Sequence, residues 1–185
     1  MLSKKLTIDK IGAKLKNAKV LIRVDYNVPM KNGKISDLTR IKESLPTIKY
    51  ALDNGAKTIA LISHLGRPDG NKNLKYTLAP VAPELANLLN RPVEFLNDCV
   101  GDSVYNSVKS GNEGKIFLLE NLRFYPAEEG SRVDENKNKI KESVENIVKF
   151  RNELTRLGDI FVNDAFGTAH RAHSSMVGCQ QDIRY

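Results

Sequence analysis

The chain has 185 residues, of which 41% are hydrophobic and 28% charged, with a formal net charge of +7. That length suits one domain able to bury roughly 70% of its unfolded surface, and the composition is that of an ordinary globular protein. Cys99 and Cys179 lie far apart with no Cys-x-x-Cys, which argues against a disulfide framework or zinc site and for a reducing, cytoplasmic compartment. No apolar run approaches the ~20 residues of a membrane span, and no apolar stretch follows the N-terminal lysines as it would in a signal peptide.

In chain order, short apolar runs at residues 19–24, 58–62, 93–96, 115–119 and 159–162 read as strands. They are nearly continuous in Val, Ile, Leu and Phe, as expected of strands buried on both faces of a parallel sheet. Amphipathic segments alternate with them. Residues 38–53 end at Asn54-Gly55, a good left-handed stop, with Pro46 implying a kink or break. Residues 78–89 start behind Thr77 as an N-cap and stop before Arg91-Pro92, and residues 101–110 form a weaker helix. Residues 136–157 carry Ile140, Val144, Ile147, Val148 and Leu154 at helical spacing, with Gly158 as terminator. Two polar stretches, residues 69–76 and 126–135, read as long loops over one edge. The β-α-β-α order predicts an α/β fold, a doubly wound, mostly parallel Rossmann-like sheet with helices on both faces.

Ligands in such sheets bind beyond the C-terminal ends of the strands. The first strand there runs into Asp25 and Asn27, the second into His64, Gly66 and Arg67, and the fourth into Asn121 and Arg123. The fifth runs into residues 163–175, which hold two of the chain's three histidines, His170 and His173, beside Arg171. Arg40 stands near the start of the helix after the first strand. Arginine makes bidentate, charge-assisted bonds to phosphate and carboxylate, whereas Asp25 and Asn27 suit a hydroxyl or amide-like contact. The rim therefore reads as a site for a small, heavily anionic molecule. His173 reads as a structural residue that caps or packs beneath the next turn.

The sequence has no Gly-x-x-x-x-Gly-Lys-[Ser/Thr] and no Gly-x-Gly-x-x-Gly. Gly111-Asn112-Glu113-Gly114-Lys115 has the wrong spacing and precedes a strand, so it reads as a loop. Nucleic-acid binding would rest on the net charge alone, without aromatic stacking motifs or a basic helix.

Arg23-Val24-Asp25-Tyr26-Asn27-Val28-Pro29, Ser63-His64-Leu65-Gly66-Arg67-Pro68, Leu118-Leu119-Glu120-Asn121-Leu122-Arg123-Phe124 and residues 163–175 resemble, in order and spacing, the N-terminal domain of phosphoglycerate kinase. Leu96-Asn97-Asp98-Cys99-Val100-Gly101 fits too. The resemblance covers residues 1 to about 178, with Tyr26 in place of the more usual Phe and Tyr125 where His is common. It implies a substrate-binding domain at 1–178 and an atypical tail at 179–185, with the C-terminal nucleotide-binding domain missing, as in a truncated enzyme.

The reaction that the resemblance implies is phosphoryl transfer between 1,3-bisphosphoglycerate and ADP in glycolysis. This chain would bind 3-phosphoglycerate or 1,3-bisphosphoglycerate without turnover. MgADP or MgATP would belong to the complete enzyme, leaving this chain with no cofactor, metal, nucleic acid or membrane partner. By the same resemblance Asp25 and Asn27 hold the substrate's hydroxyl and carboxylate end. Arg67, Arg123 and Arg171 form a phosphate pocket with His64 and His170 nearby, and Arg40 neutralises the transferring phosphoryl group as the catalytic arginine. The alternative is a non-catalytic module that binds phosphorylated metabolites or a complementing C-terminal domain.

Overall fold

The computed structural model describes residues 8–165, 172–181 and 183–184. Its main sheet contains β1 (Lys19–Arg23), β4 (Thr58–Ile62), β5 (Val93–Leu96), β6 (Lys115–Leu119), β9 (Ile160–Asn163) and β10 (Ile183–Arg184). The order is β10-β9-β1-β4-β6-β5, and every adjacent pair is parallel. The apolar runs thus form a doubly wound α/β sheet, as their two-sided hydrophobicity requires.

Strand periodicity divides the core into two layers. Val20, Ile22, Ile59, Leu61, Ile116, Leu118, Ile160 and Val162 pack in one cluster with residues of α2 (Thr39–Asp53) and α3 (Val81–Leu89). Leu21, Ala60, Ile62, Phe117, Leu119 and Phe161 alternate onto the other face. There they meet Val104 and Val108 of α4 (Asp102–Ser110) and Phe150 and Leu154 of α6 (Val144–Thr155). The central strands β1, β4 and β6 are buried by helices on both sides, so the polar groups they carry toward solvent lie at and beyond their ends.

Register sets those ends level. Arg23 pairs with Ile62 on one side and Asn163 on the other, and Leu61 pairs with Leu118. Val24 N donates to Ile62 O at 3.0 Å and Asp164 N to Arg23 O at 2.8 Å, carrying the ladder one step past the strands. The chain leaves β1 through α2 to β4 on one side, and reaches β9 on the other side through α6. This divergence of connections beside β1 is where α/β sheets open a crevice.

Local chemistry changed several boundaries. Residues 136–157 do not form one helix: α6 starts at Val144, where the Ser143 hydroxyl accepts from Asn146 N at 3.1 Å. Upstream, β7 (Ser131–Val133) pairs antiparallel with β8 (Lys139–Lys141). Asp134 Oδ1 closes that turn by accepting from Asn136 N and Asn138 N at 2.9 and 2.8 Å, with Lys137 at φ 63°. Such side-chain bonds to the backbone compete with helix formation. The stretch at 126–135 accordingly holds α5 (Pro126–Glu129), ended by left-handed Gly130, and then β7 rather than only loop. It does lie against the 69–76 stretch, because Val133 N donates to Asp69 O at 2.9 Å.

Pro46 interrupts neither end of α2, which runs through it. The helix expected from residue 78 begins at Val81, while the Thr77 hydroxyl accepts from Ala79 N at 3.2 Å. Gly111 and Gly114 occupy the loop before β6. Beyond α7 (Ser174–Val177), Cys179 is buried and the Gln181 amide donates to Thr155 O at 3.0 Å.

Candidate functional site

Three strand-end loops are tied together at Gly66. Its N–H donates to Asn27 Oδ1 at 2.8 Å, and its carbonyl accepts from Arg123 Nη1 at 2.9 Å. Gly66 has φ +63°, and a Cβ there would lie 2.3 Å from the Tyr76 ring. Only glycine meets both demands, so the loops after β1, β4 and β6 share this joint.

Asn121 braces the same loops from beneath. It is fully buried, and its amide donates to Leu65 O and Tyr76 O, each at 2.8 Å. Its Oδ1 accepts from Arg123 N at 3.0 Å. Beside it the buried Glu120 carboxylate accepts from the Thr77 hydroxyl at 2.7 Å, Leu78 N at 2.9 Å and Asn121 N at 2.8 Å. The Asn121 amide and the Glu120 carboxylate thus tie the loop after β6 to Leu65, Tyr76, Thr77 and Leu78, which fixes the geometry of whatever projects above them.

Asp25 Oδ1 accepts from Asn27 N at 3.1 Å, and Asp25 Oδ2 takes an ion pair from Arg40 at 2.5 Å. The Arg40 side chain is 44% exposed, so this is a solvated pair that an incoming anion can redirect. Arg67 is exposed and makes no hydrogen bond or ion pair among the described residues. Arg123 is buried, 3.4 Å from Glu129, and so presents a held guanidinium rather than a swinging one. His64 is buried with Nδ1 against Arg23 Nη2 at 3.1 Å. His170 and Arg171, the remaining expected site residues, lie outside the described residues. His173 occupies the N-cap position of α7 without a side-chain cap bond, and its Nε2 lies 3.6 Å from Glu129.

A cleft of about 1030 Å³ adjoins this rim and is lined by Asp25, Asn27, Arg40, Glu43 and Asp164 among others. Its carboxylates make it a poor container for an anion by itself. Arg67 and Arg123 are not in its lining, so these two cations occupy a different part of the rim from the cleft where Arg40 stands with Asp25 and Asn27. That separation suits a ligand with an anionic end and a hydroxyl-bearing end. Among the described residues no cluster of His, Cys, Asp and Glu is placed to hold a metal ion, and no helix is long and apolar enough to cross a membrane.

Burial holds the Asp164 carboxyl above its ordinary 3.8, with the Glu43 charge adding to the effect and a Thr47 hydrogen bond opposing it. A carboxyl that binds its proton more tightly when folded favours the folded state at low pH, and that stability is lost as pH rises through the folded value. Asp164→Asn is therefore expected to raise the melting temperature near pH 7, with the gain shrinking toward about pH 4. Thermal scans of both proteins across that range measure it.

Arg23, Glu120, Glu128 and Ser175 were not among the expected site residues, and Asn121 was expected only as a polar group at a strand end, yet all are buried at this rim. Arg23 carried a readable signal: a charge at the end of Val20-Leu21-Ile22 and directly before Val24. Buried charge needs specific compensation.

The family model for phosphoglycerate kinase matches residues 8–184. The chain belongs to the phosphoglycerate kinase family. Curated phosphoglycerate kinases include one from Sterkiella nova, 56% identical over 184 residues that make up 100% of this chain and 44% of the relative. One from Schistosoma mansoni is 57% identical over 176 residues, 95% of this chain and 42% of the relative. The solved phosphoglycerate kinase of Coxiella burnetii superimposes with a TM-score of 0.76 at 36% identity, covering 97% of this chain and 40% of that one. That of Pyrococcus horikoshii OT3 gives 0.77 at 34% identity, covering 94% and 40%. The chain thus spans less than half the length of the phosphoglycerate kinases it matches.

Proposed function

We propose that these 185 residues are the substrate-binding half of a phosphoglycerate kinase and bind 3-phosphoglycerate or 1,3-bisphosphoglycerate without turning it over. The observation that carries this reading is the joint at Gly66, which gathers Asn27 and Arg123 around the loop bearing His64 and Arg67. Arg67, Arg123 and His64 receive the phosphate end, with Arg171 and His170 joining them. Asp25 and Asn27 accept from the glycerate hydroxyl end.

Arg40 can exchange its solvated pair with Asp25 for the transferring phosphoryl group. The acceptor oxygen in such a reaction is already that of a carboxylate or a phosphate, according to direction, so positioning and charge stabilisation suffice without a strong general base. Nucleotide and magnesium belong, in this reading, to the part of the relatives that the chain does not span. The complete enzyme would then act in glycolysis in the cytoplasm.

Loss of one charge-assisted contact should weaken binding by about 10- to 100-fold. Arg67→Ala is the cleanest probe, because Arg67 supports nothing else among the described residues. Calorimetric titration with 3-phosphoglycerate should show that weakening, and wild-type affinity should fall with added salt. Equal affinity for both proteins would remove Arg67 from the site. A coupled assay on the pure chain should show no turnover, and measurable turnover would refute the half-site reading.

A further inference from the structure

The proposed binding contacts leave one fully buried set unexplained. Arg23 is 0% exposed and Glu128 1%, with Ser175 at 0% and His64 at 3%. The Ser175 hydroxyl accepts from Arg23 Nε at 3.0 Å and donates to Glu128 Oε1 at 2.5 Å, while Ser175 N donates to Glu128 Oε2 at 2.9 Å. Arg23 Nη1 donates to Val24 O, and Nη2 meets His64 Nδ1 at 3.1 Å. The guanidinium is thus aimed by two anchors, and its charge is offset through the serine by a buried carboxylate.

An arginine side chain has no acceptor and does not deprotonate in proteins. The contact with His64 therefore requires Nδ1 to supply the lone pair. In a neutral imidazole the other nitrogen then carries the hydrogen. An imidazolium would set two donors against each other and place a second positive charge beside a buried one. We infer that Arg23 is a positioning residue, held by Ser175 and Glu128, that locks His64 as the neutral tautomer with its proton on Nε2. This inference rests on the placement of His64 in the anion site. There the opposite tautomer would offer a lone pair to a phosphate and repel it, whereas Nε2–H offers a donor without adding charge. The lock spans β1, the loop after β4, α5 and α7, so the ring's chemistry is set jointly by segments far apart in the sequence.

Side-chain ¹H–¹⁵N correlation spectra of the labelled chain test this directly, because only three histidines need assignment. The wild type should show a bare Nδ1 and a protonated Nε2 for His64. A proton on Nδ1 would overturn the proposal with no variant needed. Ser175→Ala should loosen Arg23, give His64 a mixture of tautomers and weaken 3-phosphoglycerate binding by about tenfold, the worth of one hydrogen bond. An unchanged tautomer in folded Ser175→Ala would also overturn it. If the wild-type tautomer is as stated and shifts in Ser175→Ala, but 3-phosphoglycerate moves no His64 resonance, the lock stands and the anion-site reading falls.

Discussion

Glu128→Ala is expected to lower the unfolding free energy by about 3–5 kcal/mol, the usual consequence of removing one partner from a buried charged set. For a chain of this size that corresponds to a fall of roughly 6–20 °C in melting temperature. The reason is local and electrostatic. The Glu128 carboxylate accepts the Ser175 N–H and hydroxyl, and Ser175 in turn holds Arg23. Burial already pushes the Arg23 guanidinium's pKa down, and the Glu128 charge is the largest influence opposing it. Without that charge the Arg23 cation stays buried with no compensating carboxylate near α7. Glu128→Gln keeps an acceptor for Ser175 and should cost less than Glu128→Ala. Urea unfolding measures both, and a loss below about 1 kcal/mol for Glu128→Ala would place the compensation elsewhere.

The second large effect belongs to Asn121. Asn121→Ala removes three hydrogen bonds, to Leu65 O, Tyr76 O and Arg123 N. It leaves the buried Leu65 carbonyl, the partly buried Tyr76 carbonyl and the buried Arg123 N–H without those partners. At about 1 kcal/mol per bond, plus the desolvation of groups left unmatched, the loss should be roughly 3–5 kcal/mol. Unlike Glu128→Ala, this change also frees the segment that carries Gly66 and Arg67. Binding of 3-phosphoglycerate should therefore drop even under conditions where the variant remains folded. Unfolding curves and calorimetric titration of the same preparation separate the two effects. Wild-type affinity in a destabilised Asn121→Ala would show that the brace supports the fold but not the site.

Much of this architecture was legible because burial on both faces writes itself into composition. The runs at 58–62, 93–96 and 115–119 matched β4, β5 and β6 at both ends, and the doubly wound sheet followed from their alternation with amphipathic segments. The segment before α6 was not legible by periodicity. Ile140 fits a helical stripe, yet it is exposed on β8 because Asp134 and the asparagines around it close a turn. The hairpin of β2 (Met30–Lys31) and β3 (Lys34–Ile35) was missed, although Asn32 and Gly33 at φ 50° and 74° are the residues such turns favour.

At the site, residue type pointed to groups that would meet a ligand but not to those that hold them. Asp25, Asn27, His64, Arg67 and Arg123 all stand at one rim because register aligns β1, β4 and β6. Arg40 reaches that rim from α2 by pairing with Asp25. The supports, Asn121, Glu128 and Ser175, are ordinary polar residues whose importance lies in partners 45 to 56 positions away for Asn121 and 47 for Glu128 and Ser175. Separations of that size leave no local pattern to read.

The most direct test of the central claim is an amide chemical-shift titration of the chain with 3-phosphoglycerate, with inorganic phosphate as a second ligand. The account predicts saturable shifts concentrated at Asp25, Asn27, His64, Gly66, Arg67 and Arg123, larger for 3-phosphoglycerate than for phosphate. Shifts confined to scattered surface lysines, or none at millimolar 3-phosphoglycerate, would contradict it.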